Sequence, residues 1–240
     1  MSDRILAALD FPDAAAALSM AGTLRGRVGG FKIGKQLFTA EGPALVRELT
    51  SRGDRVFLDL KFHDIPNTVA GAVASAAAMG VWMVNVHASG GRAMMTAARE
   101  AAEAAAQPSG SRALVIGVTV LTSLDAAALR ETGIDAAPAE QVARLARLAR
   151  ESGLDGVVCS PQEIAVVRRE CGADFLIVTP GIRGAGDAKG DQVRTATPGG
   201  AIGAGADYLV IGRPITAAAD PAAAAETIAK EIGPALSPEP

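Results

Sequence analysis

Three charged residues within six positions, Asp59, Lys61 and Asp64, have the types and spacing needed for proton transfer. They close the apolar run Arg55–Leu58, which is typical of a buried strand, and residues two apart in a strand share one face. Carboxylates on either side of an ammonium group favour its charged form. A surface ion pair ahead of a capped helix is the simplest alternative, because exposed pairs of this kind are common and weak.

The choice of cation at position 61 favours the chemical interpretation. The chain contains five lysines and eighteen arginines, so lysine is the rarer way of placing a positive charge in this protein. A lysine ammonium can give up a proton, whereas an arginine guanidinium stays charged. We therefore predict that Lys61 serves a chemical task and is not a simple surface cation.

Length and composition restrict the class of protein. A chain of 240 residues, 49% hydrophobic but only 3% aromatic, can bury a sizeable core with small side chains between helices and sheet. The net charge of −3 and the lack of a basic face argue against a nucleic-acid partner. Cys159 and Cys171 have neither metal-ligand spacing nor the pattern of a disulfide framework. No signal peptide and no apolar run of membrane-spanning length is evident, so we predict a cytoplasmic protein without membrane association.

Short β-rich runs alternate with longer alanine-rich helical runs along the chain. Eight runs are predicted as strands: Arg4–Leu9, Gly30–Gly34, Arg55–Lys61, Val81–His87, Ala113–Leu121, Gly156–Ser160, Phe175–Thr179 and Asp207–Ile211. Eight strand–helix units in this length predict a single-domain (β/α)8 barrel over residues 1–233, with a loose tail at 234–240. A doubly wound open sheet is the alternative architecture.

Polar residues cluster where the predicted strands end, and barrel enzymes place their chemistry at that rim. The residues delivered there are Asp10, Lys32, Asp59, Lys61, His87, Thr122, Ser160, Arg183, Gly212 and Arg213. We interpret His87 as a structural histidine, hydrogen-bonded at the rim. Gly212-Arg213 after the eighth strand is typical of a phosphate site. The glycine-rich segment from Gly181 to Arg194 is interpreted as a lid that brings Arg183 and Gln192 to a substrate, or as an ordinary exposed loop.

The segment from Asp59 to Thr68, Asp-x-Lys-x-x-Asp followed by Ile-Pro-x-Thr, resembles the active-site segment of the orotidine 5′-phosphate (OMP) decarboxylase family. Weaker family segments occur in order from the first strand to the eighth: the aspartate ending strand 1, Phe31–Gly34, Leu121–Ser123, the loop from Pro180 to Gln192, and Ile211–Pro214. The resemblance implies a homodimer that converts OMP to UMP and CO2 in de novo pyrimidine biosynthesis, using neither cofactor nor metal.

The same resemblance implies a role for each matching residue. Lys61 would protonate C6 of the pyrimidine, Asp59 would lie beside the substrate carboxylate, and Asp64 would come from the partner subunit. The implied catalytic array is Lys32, Asp59, Lys61 and Asp64. The implied substrate-binding residues are Asp10 and Lys32 for ribose, Asp64 and Thr68 for ribose across the dimer interface, Thr122 for the pyrimidine edge, and Arg183, Gln192, Gly212 and Arg213 for phosphate.

Two other functions fit parts of the pattern. Related barrels that act on sugar phosphates, such as hexulose-phosphate synthase, share Asp-x-Lys-x-x-Asp but use a carboxylate on strand 2 to help bind Mg²⁺. Here strand 2 offers Lys32, which would repel the ion. A barrel that binds nucleotide without turnover is the second alternative, since fold alone does not determine function.

Overall fold

Eight parallel strands pair in chain order, and the first pairs with the last, so the sheet closes into a barrel. The structure is a computed structural model that describes residues 2–106, 111–183 and 195–233. The strands are β1 Ser2–Ala8, β2 Val28–Gly34, β3 Val56–Phe62, β4 Met83–His87, β5 Leu114–Val118, β6 Gly156–Val158, β7 Leu176–Thr179 and β8 Tyr208–Ile211. The predicted (β/α)8 fold is confirmed, and closure excludes the open sheet.

Helices follow the strands and cover the outside of the barrel. They are α1 Ala14–Leu24, α2 Lys35–Ser51, α3 Pro66–Ala77, α4 Gly91–Ala104, α5 Ala126–Glu131, α6 Pro138–Glu151, α7 Ile164–Cys171, α8 Pro198–Gly203, α9 Arg213–Thr216 and α10 Pro221–Ile232. Aspartates cap several of them: Asp13 accepts from the Ala16 N–H at 2.9 Å, and Asp220 from the Ala223 N–H at 3.0 Å. No helix in the described ranges is long and apolar enough to cross a membrane.

The core has two parts, one inside the barrel and one between strands and helices. Leu6, Phe57, Met83, Ile116 and Val178 are buried together inside the barrel. At the amino ends of the strands, Trp82 and Tyr208 meet edge to face with ring centroids 5.1 Å apart. Because side chains fill this end and the middle of the barrel, the cavity inside the barrel among the described residues forms at the carboxyl ends of the strands.

Alanine accounts for the close packing of the outer layer. The buried faces of α1, α3, α4 and α6 use alanines together with a few larger side chains: Ala17, Ala21, Ala76, Ala77, Ala98, Ala102, Ala146 and Ala149 are all buried. A methyl side chain lets a helix lie close to the barrel and retains good helix propensity. The low aromatic content of the sequence is therefore compatible with a dense core.

Predicted strand ends differ from the observed ones by up to three residues, and the largest difference is at the end of β5. The fifth strand ends at Val118 and does not reach Leu121, because the chain turns away there toward the cavity rim. Helix α2 is broken at Gly42, whose φ of 65° suits glycine. The predicted tail at 234–240 lies outside the described residues, so the domain limits remain a prediction.

Candidate active site

A cavity of about 610 Å³ opens at the carboxyl ends of the strands. Its charged lining comes from two neighbouring groups of strands. Asp10, Lys32, Asp59 and Lys61 lie on the side of β1–β3, and Arg183 and Arg213 lie on the side of β7 and β8. Thr122, Gly212 and the apolar side chains of Phe57, Val118, Val120, Val158 and Val210 line the space between them. The structure thus brings together most of the residues that the sequence predicts for the site.

Four of these residues form a chain of alternating charge. The Lys32 ammonium lies 3.0 Å from Asp10 Oδ1 and 3.6 Å from Asp59 Oδ2. The Lys61 ammonium lies 2.5 Å from Asp59 Oδ1. Only 10% of the Lys32 side chain and 14% of the Asp59 side chain are exposed, whereas Asp10 is 60% exposed. We call these four side chains the charged array; its buried centre is the carboxylate of Asp59.

The surroundings of Asp59 decide its protonation state. Burial by itself would raise the pKa of this carboxyl group. The charges of Lys32 and Lys61, with hydrogen bonds from Lys61 and Asn85, outweigh burial and hold the pKa of Asp59 below its ordinary value. Asp59 is therefore a carboxylate at neutral pH, and it holds the Lys61 ammonium by a direct hydrogen bond.

The main chain at Lys61 has an unusual conformation, which sets the direction of the Lys61 side chain. Lys61 has a φ of 54°. Among the residues that the structure describes, it is the only non-glycine residue with a positive φ. The register between β3 and β4 shifts between Leu58 and Phe62, so an irregularity in β3 surrounds Lys61. Sparsely populated backbone conformations of this kind cluster at functional sites.

Asn85 on β4 is a site residue that the sequence analysis missed. Its side chain donates to Asp59 Oδ1 at 2.7 Å and accepts from the Lys61 N–H at 2.8 Å. The signal was present in the strand itself, since Asn85 is a lone amide between valines in the run Met83–His87. A polar group buried in an apolar strand needs hydrogen-bond partners, and the charged neighbours on β3 are those partners.

Gly34 leaves room for the array. A Cβ atom at this position would lie 2.9 Å from Lys32 Nζ and 3.1 Å from Asp10 Oδ1. Any larger side chain would therefore press on the ion pair between Lys32 and Asp10. The Phe31–Gly34 segment, which the sequence analysis singled out, thus supplies both the lysine and the space in which it is held.

The side of β7 and β8 is built differently. Arg183 follows β7, and its guanidinium donates to the carbonyl of Ile182 at 2.7 Å. Gly212 follows β8, and Arg213 begins the short helix α9. Arg183, Gly212 and Arg213 line the cavity, as predicted for a phosphate site, whereas Gln192 and most of the predicted lid lie outside the described residues.

Asp64 and Thr68 are not among the described residues that line this cavity. Both are exposed, and Asp64 Oδ1 accepts from the N–H of Ile65 at 2.6 Å. The neighbouring Ile65 side chain is 66% exposed, which is unusual for a large aliphatic residue in this chain. Within one chain, Asp64 therefore stands apart from the array, and its assignment to a shared site remains a prediction.

His87 at the end of β4 lies against His63, with ring centroids 5.4 Å apart. Burial, followed by the charges of His63, Lys35 and Lys61, lowers the pKa of His87 to about 4. His87 is therefore neutral at physiological pH. It lies beside the array and is not among the described residues that line the cavity, and its structural role remains a prediction.

Comparison with known proteins shows which family this chain matches. Residues 3–228 match the model of the family described as "Orotidine 5'-phosphate decarboxylase / HUMPS family". A protein of Halorhodospira halophila named orotidine 5′-phosphate decarboxylase is 60% identical over 232 residues, which cover 97% of each chain. A protein of Moorella thermoacetica with the same name is 58% identical, over 96% of this chain and 92% of its own.

A solved structure agrees with the sequence matches. The crystal structure of orotidine 5′-phosphate decarboxylase from Lactobacillus acidophilus superposes with a TM-score of 0.86 at 39% identity. The superposition covers 95% of this chain and 98% of the other. The similarity thus extends over nearly the whole of both chains.

Proposed function

This chain belongs to the orotidine 5′-phosphate decarboxylase / HUMPS family, and we propose that it converts OMP to UMP and CO2 with Lys61 as the proton donor. The family match and relatives at 58–60% identity over nearly the whole chain make it a carboxy-lyase of pyrimidine biosynthesis. The finer assignments, to individual residues and to a dimer, are part of this proposal.

The observation that carries the proposal is a cavity lined by the charged array after β1–β3 and by two arginines after β7 and β8. A volume of about 610 Å³ suits a small-molecule ligand of nucleotide size. The arginine side suits a phosphate dianion, because guanidinium groups bind phosphate with strong, directed hydrogen bonds. A nucleotide anchored there would extend its base toward the Lys61 ammonium.

The chemistry of the array fits loss of CO2 from C6. The bond between C6 and the carboxylate breaks, its electron pair stays on C6, and CO2 departs. The Lys61 ammonium stabilises the developing negative charge and then transfers a proton to C6, giving UMP. Lys61 is left as a neutral amine and regains a proton from water. The net reaction consumes one proton from solvent for each CO2 released and needs no other reactant.

The remaining cavity residues are assigned to binding. Asp10 and Lys32 would hydrogen-bond ribose hydroxyl groups, because they form the end of the charged array that the exposed Asp10 carboxylate marks. Thr122, which follows β5, would bind the pyrimidine edge. Arg183, Gln192, Gly212 and Arg213 would hold the phosphate. Holding this remote group can supply binding energy that positions the ring for reaction.

Asp64 and Thr68 would act in the neighbouring site of a homodimer. Their support is indirect: both are exposed in the single chain, and so is the Ile65 side chain between them. A two-fold interface over this loop would bury Ile65 and carry Asp64 toward the partner's cavity. The dimer, like the cytoplasmic location, is our prediction.

The sugar-phosphate alternative requires Mg²⁺ among the carboxylates. Here the Lys32 ammonium lies between Asp10 and Asp59, so a cation of the protein already occupies the space that links the two carboxylates. A divalent ion would have to displace it against charge repulsion. The geometry therefore favours the decarboxylase over the metal-dependent members of related families.

One assay tests the proposed function. Purified protein is mixed with OMP in excess EDTA, and the loss of orotidylate absorbance is followed. We expect turnover that EDTA leaves unchanged. Loss of activity in EDTA, restored by Mg²⁺, would indicate metal-dependent chemistry, and binding of UMP without any turnover of OMP would indicate a nucleotide-binding barrel.

A further inference from the structure

We propose that Asn85 is a positioning residue that holds Asp59 and Lys61 in their reactive geometry without touching the substrate. This inference rests on the proposed function, because it concerns the same array. Asn85 is 1% exposed and is not among the described residues that line the cavity. Any effect of Asn85 on the reaction must therefore pass through its two bonded neighbours.

The amide can be oriented in only one way. The main-chain N–H of Lys61 can only donate, so it faces the Asn85 oxygen at 2.8 Å. The Asp59 carboxylate can only accept, so it faces the Asn85 amino group at 2.7 Å. Each partner thus specifies one end of the amide, and a flipped orientation would lose both hydrogen bonds.

The hydrogen bond to the Lys61 N–H compensates for the irregular strand. Regular pairing of β3 with β4 is interrupted between Leu58 and Phe62, where Lys61 adopts φ of 54°. A buried N–H without a ladder partner is costly. The Asn85 side chain supplies the acceptor from the neighbouring strand, and so stabilises the backbone conformation that directs the Lys61 ammonium.

The hydrogen bond to Asp59 acts on the other partner. Asp59 Oδ1 accepts from both Asn85 and the Lys61 ammonium, whereas Oδ2 faces Lys32. This fixes the rotation of the carboxylate, so that one oxygen holds each lysine. Asn85 therefore links the backbone of Lys61 to the side chain that holds its ammonium group.

Two substitutions separate positioning from packing. Asn85→Leu keeps the approximate shape and removes both hydrogen bonds. We expect kcat for OMP to fall on the order of 10²-fold, as for small misplacements of reacting groups. The affinity for UMP, measured by calorimetry, should change by less than about threefold, since no substrate contact is removed.

The pH profile of kcat for Asn85→Asp tests positioning, because loss of a merely structural residue would not change that profile. Its oxygen can still accept from the Lys61 N–H, but it can donate to Asp59 only while the two carboxyl groups share a proton. The charged groups facing this position are Asp59, Lys61 and Lys32, with His87 two residues along the strand. We expect kcat of this variant to decline from roughly pH 5 to 8 relative to wild type.

Ser152→Ala is the control for loss of a buried hydrogen bond elsewhere, since Ser152 Oγ donates to the carbonyl of Leu148 at 2.7 Å at the end of α6. Its kcat should match that of wild type. A kcat for Asn85→Leu near the wild-type value, a parallel loss of UMP affinity, or a wild-type pH profile for Asn85→Asp would overturn the inference. Failure of the wild-type protein to turn over OMP would instead overturn the proposed function.

Discussion

The two sides of the cavity hold their charged side chains in different ways. On the side of β1–β4, contacts of 2.5 to 3.6 Å join Asp10, Lys32, Asp59 and Lys61. Asn85 donates a hydrogen bond to Asp59 at the centre of this group. On the side of β7 and β8, the Arg183 guanidinium donates to a main-chain carbonyl. The first side is arranged as a network of side chains, whereas the second presents guanidinium groups and a glycine to the cavity.

The difference reflects what each side must do. A group that stabilises charge in a transition state works best when it is already in place, because no reorganisation is then needed during reaction. Burying Asp59 is costly, and the two lysines and Asn85 offset that cost. A phosphate carries its own charge and hydrogen-bond acceptors. The side chains that bind it can therefore complete their hydrogen bonds with the ligand itself.

Removing the proton donor should have the largest effect. We expect Lys61→Ala to lower the rate of OMP decarboxylation by more than about 10³-fold, because proton donation and charge stabilisation are lost together. The protein should remain folded by circular dichroism, since Lys61 is not part of the apolar core. Retention of more than about a thousandth of the wild-type rate would contradict the general-acid role.

The side of β1–β4 is also the side of the cavity that we expect to be shared between two subunits. Asp59→Ala and Asp64→Ala should each be inactive, but their mixture should recover about a quarter of wild-type activity. Half of randomly assorted dimers are mixed, and each has one intact site. The measurement is OMP loss after subunit exchange.

A second mixture serves as the control for this experiment. Asp59→Ala combined with Lys61→Ala should recover nothing, because both residues belong to the same chain of one site. If demonstrated mixed dimers of Asp59→Ala and Asp64→Ala stay inactive, Asp64 does not act across the interface. The assignment of Lys61 would be unaffected by that result.

Changes on the phosphate side should weaken binding more than chemistry. We expect Arg213→Ala to raise KM for OMP about 10- to 100-fold, the usual consequence of losing charged hydrogen bonds to a ligand. Arg169→Ala is the matched control, because its side chain is 70% exposed and pairs with Glu170 on α7. Steady-state kinetics checks the prediction, and an unchanged KM would show that Arg213 does not bind the phosphate.

The smallest expected effect is on stability and concerns His87, beside the network. A histidine whose pKa falls from 6.5 to about 4 on folding binds fewer protons in the folded state between these values. Stability should therefore decrease as pH falls from 6.5 toward 4. After allowance for partial exposure, the loss should be about 1 kcal/mol.

His87→Gln should remove that part of the pH dependence. Urea unfolding of wild type and variant at pH 4.5 and 7 measures it, since carboxylates elsewhere contribute equally to both proteins. A smaller change between the two pH values is expected for the variant. Equal changes would mean that His87 titrates alike in the folded and unfolded states.

Local patterns in the sequence were sufficient for the barrel and for most of the cavity lining. Strands buried on both faces give apolar runs, and alternation with helices gives a parallel sheet. Since the carboxyl ends of parallel strands meet at one rim, the positions of Asp10, Lys32, Asp59, Lys61, Arg183 and Arg213 followed from chain order alone. The type and spacing of residues 59–64 predicted a group able to transfer a proton, and the resemblance of that segment to a known family implied the reaction.

Only the tertiary structure showed how these groups are held. The bond between Asn85 and Asp59 depends on the pairing of β3 with β4, and the positive φ of Lys61 depends on an interruption of that pairing. Neither can be read from spacing, because both are set by the neighbouring strand. The contact of Lys32 with both Asp10 and Asp59 likewise requires three strands to lie side by side. The sequence determines which groups reach the rim, whereas distances of about 3 Å between them arise from the pairing and register of neighbouring strands.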